Sequence, residues 1–210
     1  GESLYVQQQV GDRLVLRRAE YGTARLEDVV ELPGHEGRFS YGTVSPDERH
    51  YTVSVHGDGD ECRLLYVSLD SGEVRTLASS HERYFKHEQF ALDGSNRVMI
   101  QANSQDVSQV GLGVVDLDGG LTWLAADAPH TPRPTGHEAW VGSTSGVLFS
   151  TGWSDDAGGN LWVAAVGDAA PRLAGPVRGG HVSVSRCGRY GLVDNRDEGM
   201  PLYVGSLANG

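Results

Sequence analysis

Thr135-Gly136-His137-Glu138-Ala139-Trp140, followed by Val147-Leu148-Phe149-Ser150-Thr151-Gly152-Trp153, decides the fold. Two short apolar strands are joined by a tight polar turn, Gly142-Ser143-Thr144-Ser145-Gly146, and a histidine stands where the first strand begins. The same arrangement occurs twice more. His87-Glu88-Gln89-Phe90 leads through Asp93-Gly94 into Val98-Met99-Ile100, and His181-Val182-Ser183-Val184 leads through Cys187-Gly188 into Tyr190-Gly191-Leu192-Val193. An earlier copy has tyrosine in the leading place, Tyr41-Gly42-Thr43-Val44, then Ser45-Pro46-Asp47 and Tyr51-Thr52-Val53-Ser54-Val55. The lead residues Tyr41, His87, His137 and His181 follow one another at 46, 50 and 44 positions. A period of this size built from short strands is the signature of propeller blades.

Outward from that repeat, the chain divides into strokes of strand and turn. Residues 1–33 give three strand-like runs, Leu4–Gln8, Arg13–Arg18 and Ala24–Leu32, parted by Gly11-Asp12 and Tyr21-Gly22. Three four-strand units follow, beginning at Ser40, His87 and His137, and the last unit has three strands ending with Leu202–Ser206. No segment has a helical period with caps. The expected fold is all-β: a β-propeller of four-stranded antiparallel blades, eighteen strands in about five blade units, within one domain over 1–210. The blades are expected near 1–35 (partial), 36–81, 82–129, 130–176 and 177–210 (partial). Two raw ends on such an array are an aggregation liability. They favour an arc whose remaining blades come from a longer chain or a partner chain over a small closed ring.

Composition excludes several function classes. The 210 residues carry 17 Lys and Arg against 28 Asp and Glu, a net charge of −11, spread along the chain. A general nucleic-acid binder needs a basic face to displace counterions, so nucleic acid is not an expected partner. No run approaches the ~18 apolar residues of a membrane span. Glycine, 29 of 210, is about twice its usual share, which suits a β chain with many tight turns. Cys62 and Cys187 lie on different repeats and do not form a disulfide framework. Gly1 is not a natural start, so a leader is not excluded and the compartment stays open between cytoplasm and periplasm.

In a propeller the first strand of each blade lines the central channel. The connection entering that strand opens on the same face as the loop between the second and third strands. The repeat therefore sets His87, His137 and His181 at one level around one channel mouth. Imidazoles from successive blades can share a metal or titrate near neutral pH. Taken singly, each is better explained by capping a strand start; three in register bring the two explanations level.

The series Lys86-His87-Glu88-Gln89-Phe90, Gly136-His137-Glu138-Ala139-Trp140 and Gly180-His181-Val182-Ser183-Val184-Ser185 resembles the oligogalacturonate lyase family, seven-bladed propellers built on TolB-like repeats. Val29-Val30-Glu31-Leu32-Pro33 before a Ser-Pro-Asp blade is similar too. The resemblance implies β-elimination of galacturonides with a divalent metal, typically manganese, at the channel mouth. By position it makes His87 the general base and His137 and His181 metal ligands. Arg178 stands where the family has glutamine and Ser183 where it has a second histidine, so two of four ligands are kept. Glu138 is adjacent to His137 and, on a strand, points to the opposite face.

Elimination beside a uronate needs the carboxylate neutralised, by metal or arginine, and a base near its operating pH to take the adjacent proton. Arg83, Lys86, Arg133, Arg178 and Arg196 are placed by the repeat in loops facing the histidines, where they can hold an acidic oligosaccharide; Arg178 can take over part of the metal's role. Each alone is also an ordinary solvated charge. Trp140 and Trp153 can stack on a sugar, while Trp123 and Trp162 fall mid-strand, where packing between blades is their expected work; all four also fit a place in the core. The Asp155-Asp156 and Asp116/Asp118 pairs lack calcium-loop spacing, and no serine sits in a nucleophile elbow. Two functions fit this pattern: a carbohydrate lyase, or a non-catalytic TolB-like propeller that binds protein or saccharide on its channel face.

Overall fold

The computed structural model describes residues 3–23, 25–33, 38–57, 61–105, 109–124, 134–152, 158–195, 199 and 201–207. Among these there is no helix, and nineteen strands form five antiparallel sheets. The first sheet is β1 (Ser3–Val10), β2 (Arg13–Glu20) and β3 (Leu26–Leu32). The second has an inner strand in two pieces, β4 (Arg38–Phe39) and β5 (Thr43–Val44), beside β6 (His50–His56), β7 (Cys62–Ser68) and β8 (Val74–Ser80). The third is β9 (Arg83–Phe90), β10 (Val98–Ser104), β11 (Val110–Val115) and β12 (Leu121–Trp123). The fourth is β13 (Pro134–Trp140), β14 (Gly146–Thr151), β15 (Leu161–Ala165) and β16 (Arg172–Gly175). The fifth is β17 (Val182–Val184), β18 (Tyr190–Asp194) and β19 (Leu202–Ser206). The nineteenth strand arises because the inner strand of the second sheet breaks at Ser40–Gly42, where Gly42 has φ +67°.

Why the sheets stack follows from alternation along each middle strand. In β14, Val147 and Phe149 face the third sheet with Met99 and Leu112, while Leu148 faces the fifth with Val182 and Val193. Four apolar clusters result, one between each pair of successive sheets. Between the second and third lie Leu64, Phe85, Phe90 and Ile100; between the first and second lie Leu16, Leu32, Val53 and Leu65. No cluster among the described residues joins the fifth sheet to the first. The outer faces of those two sheets differ in kind. Leu148, Leu161 and Val163 of the fourth sheet are 1, 6 and 7 % exposed, whereas their counterparts Leu192, Leu202 and Val204 in the fifth are 39, 68 and 70 % exposed. On the free face of the first sheet, Arg17 pairs with Asp28 at 2.7 Å and Arg13 with Glu31 at 3.4 Å.

The fourth and fifth sheets are also held turn against turn. Gly142 has φ +57°, and a Cβ there would lie 2.7 Å from the Gly188 nitrogen and 2.8 Å from its Cα. Neither backbone can yield cheaply. A left-handed conformation costs a non-glycine residue about 1–2 kcal/mol and overpacking about 1–3 kcal/mol more. Gly142→Ala is therefore expected to destabilise the protein by roughly 2–5 kcal/mol, read as a lowered midpoint in thermal unfolding.

Both cysteines are free. Burial pushes the Cys62 thiol up to about 11, while hydrogen bonding from Ser185, with Arg189 beside it, brings exposed Cys187 down to about 7. Only thiolate is nucleophilic. One of the two thiols should therefore be alkylated quickly in the folded protein, at a rate climbing through pH 7, and peptide mapping should place the label on Cys187.

A candidate active site at the channel mouth

The inner strands of the third and fourth sheets are both irregular near the histidines. Gln101 pairs with Lys86 and Met99 with Gln89, so one extra residue of β9 bulges out at His87–Glu88. The register of β13 likewise shifts between Pro134 and Glu138. Bulges re-aim side chains and concentrate next to functional sites. At this one His87 adopts φ +55°, a left-handed conformation in the middle of a strand. The other two non-glycine residues with positive φ among the described residues, Glu48 and Asn96, lie outside strands. Strand β9 starts four residues before His87, so that histidine sits within a strand rather than at its start, and Arg83 and Lys86 lie on β9 rather than in a loop. The short runs Val182–Val184 and Pro134–Trp140 leave His181 just outside β17 and His137 inside β13.

Two of the three histidines meet. The His137 and His181 rings lie 4.2 Å apart between centroids, tilted by 58°. His181 is fixed by Asp194, whose carboxylate accepts the backbone N–H of His181 at 2.6 Å and its Nδ1 at 2.6 Å. His87 Nδ1 lies 3.2 Å from Oε1 of Glu138. The His87 side chain is 44 % exposed and the Glu138 side chain fully buried. Alternation on β13 thus sends His137 to the mouth and Glu138 into the interface with the third sheet, where it meets His87. The other oxygen, Glu138 Oε2, has no hydrogen-bond partner among the described residues. One sheet earlier the equivalent acid, Glu88, accepts from Ser40 Oγ at 2.8 Å.

Arg178 is exposed, three residues before His181. The turn between them is clamped by buried Asn160, which donates to the Gly179 carbonyl and accepts the Gly179 N–H, both at 2.8 Å. Lys86 lies over the Tyr84 ring, its Nζ 5.8 Å from the centroid. Arg83 is engaged within its own sheet, donating to the Ala102 carbonyl at 3.2 Å and to Gln109 Oε1 at 3.3 Å, 5.5 Å from the Trp123 ring centre. Trp140 is core: its Nε1 donates to the Gln89 carbonyl at 3.0 Å and ties the third sheet to the fourth. Arg133, Trp153 and Arg196 lie outside the described residues. Towards the other end of the inner strands is a cleft of about 410 Å³, lined by Val44, Phe90, Leu92, Trp140 and Val184 among others.

Asp194 and Asn160 carry no motif of their own. The pairing of Val182 with Val193 puts Asp194 opposite His181, so the strand register was the one signal available for it.

Compared with known structures, the chain is similar to oligogalacturonate lyase from Vibrio parahaemolyticus (TM-score 0.74, 13 % identity, 98 % of this chain and 60 % of that one). It is also similar to an oligogalacturonate lyase in complex with manganese (TM-score 0.72, 18 %, 100 % and 60 %). TolB from Acinetobacter baumannii gives a TM-score of 0.59 at 14 % identity, covering 98 % of this chain and 49 % of that one. The chain has the β-propeller fold. It spans about 60 % of the length of the two lyases. No protein-family model and no curated protein matches it.

The donor set fits manganese poorly. Manganese favours carboxylate, carbonyl and water oxygens. Here two imidazoles meet, the nearest acids are taken up by His181 and His87, and among the described residues no three His, Cys, Asp or Glu side chains converge on a metal position.

Proposed function

We propose that this channel mouth cleaves uronic-acid-containing oligosaccharides by β-elimination, with His87 as general base. The observation that carries the reading is the carboxylate-held imidazole His87–Glu138, which bridges the third and fourth sheets beside the contacting pair His137 and His181. Nδ1 facing a carboxylate donates, because an ionised carboxylate can only accept, and the basic lone pair is then on Nε2. In the reaction the C5–H bond breaks, its proton passes to His87, and its electron pair forms the C4–C5 double bond. The C4–O bond breaks and the leaving oxygen takes up a proton, so no co-reactant is consumed.

Acidity at C5 requires the neighbouring carboxylate to be neutralised. With manganese ill matched to the donors, that work falls to Arg178, with Lys86 and, from the segments outside the described residues, Arg133 and Arg196. His137 and His181 then bind the saccharide as hydrogen-bonding groups, with Trp153 as its stacking partner. Arg83 is the weakest of the proposed sugar contacts, since its guanidinium already has three partners. The uncovered apolar face of Leu192, Leu202 and Val204 is where a further blade would pack, from a longer form of the chain or from a partner.

One observation favours a second reading, a TolB-like recognition propeller: the acids nearest the histidines, Asp194 and Glu138, are already engaged by His181 and His87. The experiment that separates the two is incubation with oligogalacturonides and related uronides, with and without manganese. Elimination raises ultraviolet absorbance through the new double bond. Binding without that rise leaves recognition, and a rise only with manganese overturns the assignment of carboxylate neutralisation to Arg178.

A further inference from the structure

The geometry points to Glu138 as the residue that positions His87, holding the imidazole in its Nδ1–H tautomer so that Nε2 faces the channel mouth as the basic nitrogen. This rests on the proposed elimination for its chemistry, but not for its geometry. Three departures from ordinary structure meet at the pair. His87 holds a left-handed backbone within a strand, which costs a non-glycine residue of order 1–3 kcal/mol. Glu138 is a fully buried acid, and its second oxygen is without a partner among the described residues. The strands carrying both residues lose register where they stand.

A latch made only for stability would not be built this way. Burying a carboxylate costs desolvation that its hydrogen bonds offset only in part, so an apolar side chain in its place is often neutral or stabilising. The equivalent acid in the third sheet, Glu88, does the latching with a serine hydroxyl. For Glu138 of the fourth sheet the partner is instead the imidazole of His87, whose side chain is 44 % exposed. A carboxylate behind an imidazole fixes tautomer and ring orientation, and losing such a partner is known to lower kcat without disturbing geometry.

The test uses the 210-residue chain and reads His87 directly. Long-range nitrogen–proton NMR of the neutral ring should show Nδ1 protonated in the wild type. In Glu138→Leu the ring should relax to a tautomer mixture, with a melting midpoint equal to or above wild type. With an oligogalacturonide, Glu138→Leu should lower kcat roughly 10–100-fold, the range seen when an orienting partner is removed, with KM within about twofold. Glu138→Asp, which keeps a carboxylate acceptor, should restore the tautomer and part of kcat, whereas Glu138→Gln, whose amide can donate to Nδ1, should not. A wild-type ring protonated on Nε2 overturns the inference before any variant is made. So does a Glu138→Leu protein that melts lower while His87 keeps its tautomer. If no uronide is eliminated at all, the lyase reading fails while the NMR result still decides the pairing.

Discussion

Replacing His87 with alanine is expected to remove the ultraviolet signal of unsaturated product while leaving the protein folded. Loss of a general base costs a factor of about 10²–10⁴, and an assay with even tenfold signal over background resolves that. The fold should survive because the ring is 44 % exposed and belongs to none of the four core clusters. A glycine at the same place relieves the φ of +55°, which costs other residues about 1–2 kcal/mol. His87→Gly should therefore melt no lower than the wild type and be as inactive as His87→Ala. Activity within a few-fold of wild type in either variant would remove His87 from the chemistry. Both variants reading as unfolded would instead make it a structural residue.

A stability effect as large as that of Gly142→Ala is expected at Ile100. It is fully buried between the second and third sheets, in contact distance of the Leu64, Phe85 and Phe90 cluster. Truncation to alanine removes apolar burial and leaves a cavity, typically about 2–5 kcal/mol, from a total that for proteins of this kind is about 5–15 kcal/mol. At about 2–4 °C per kcal/mol for a chain of this size, the midpoint should fall by roughly 4–20 °C in thermal circular dichroism. Leu202, 68 % exposed on the outer face of the fifth sheet, is the control, and its alanine variant should stay within about 0.5 kcal/mol of wild type. A large loss at Leu202 would mean that its face is covered in solution by another sheet.

The sheet architecture was legible because it is written in period. Apolar residues at alternate places within Val147–Thr151, turn residues at Gly142–Gly146, and the return of both about every 46 residues dictate stacked antiparallel sheets. The gathering of His137 and His181 follows from the same period. What the period does not carry is the bulge. The aromatic pair Tyr84-Phe85 favours a strand already under way, but the histidine repeat alone makes His87 read as a strand start when it lies at a mid-strand irregularity. The partner of His87 was hidden for a related reason. Alternation correctly turns Glu138 away from the mouth, but only the packing of β13 on β9 reveals that the side it turns to is occupied by His87. Trp140, attractive as a sugar platform from its place near the histidine, is spent on a hydrogen bond between sheets. Arg83 is drawn off by Trp123 and Gln109, partners that no local motif predicts.

The central claim is that a uronate at this mouth presents its C5 proton to His87. The most direct measurement is a crystal structure of the His87→Ala protein with a bound oligogalacturonide, superposed on the wild-type chain. The account predicts C5 of the sugar about 3–3.5 Å from the position of His87 Nε2, the separation of a reactive geometry, with the uronate carboxylate turned towards Arg178. A saccharide seated instead in the cleft of Phe90, Leu92 and Trp140 at the other end of the inner strands, with C5 far from His87, would contradict it.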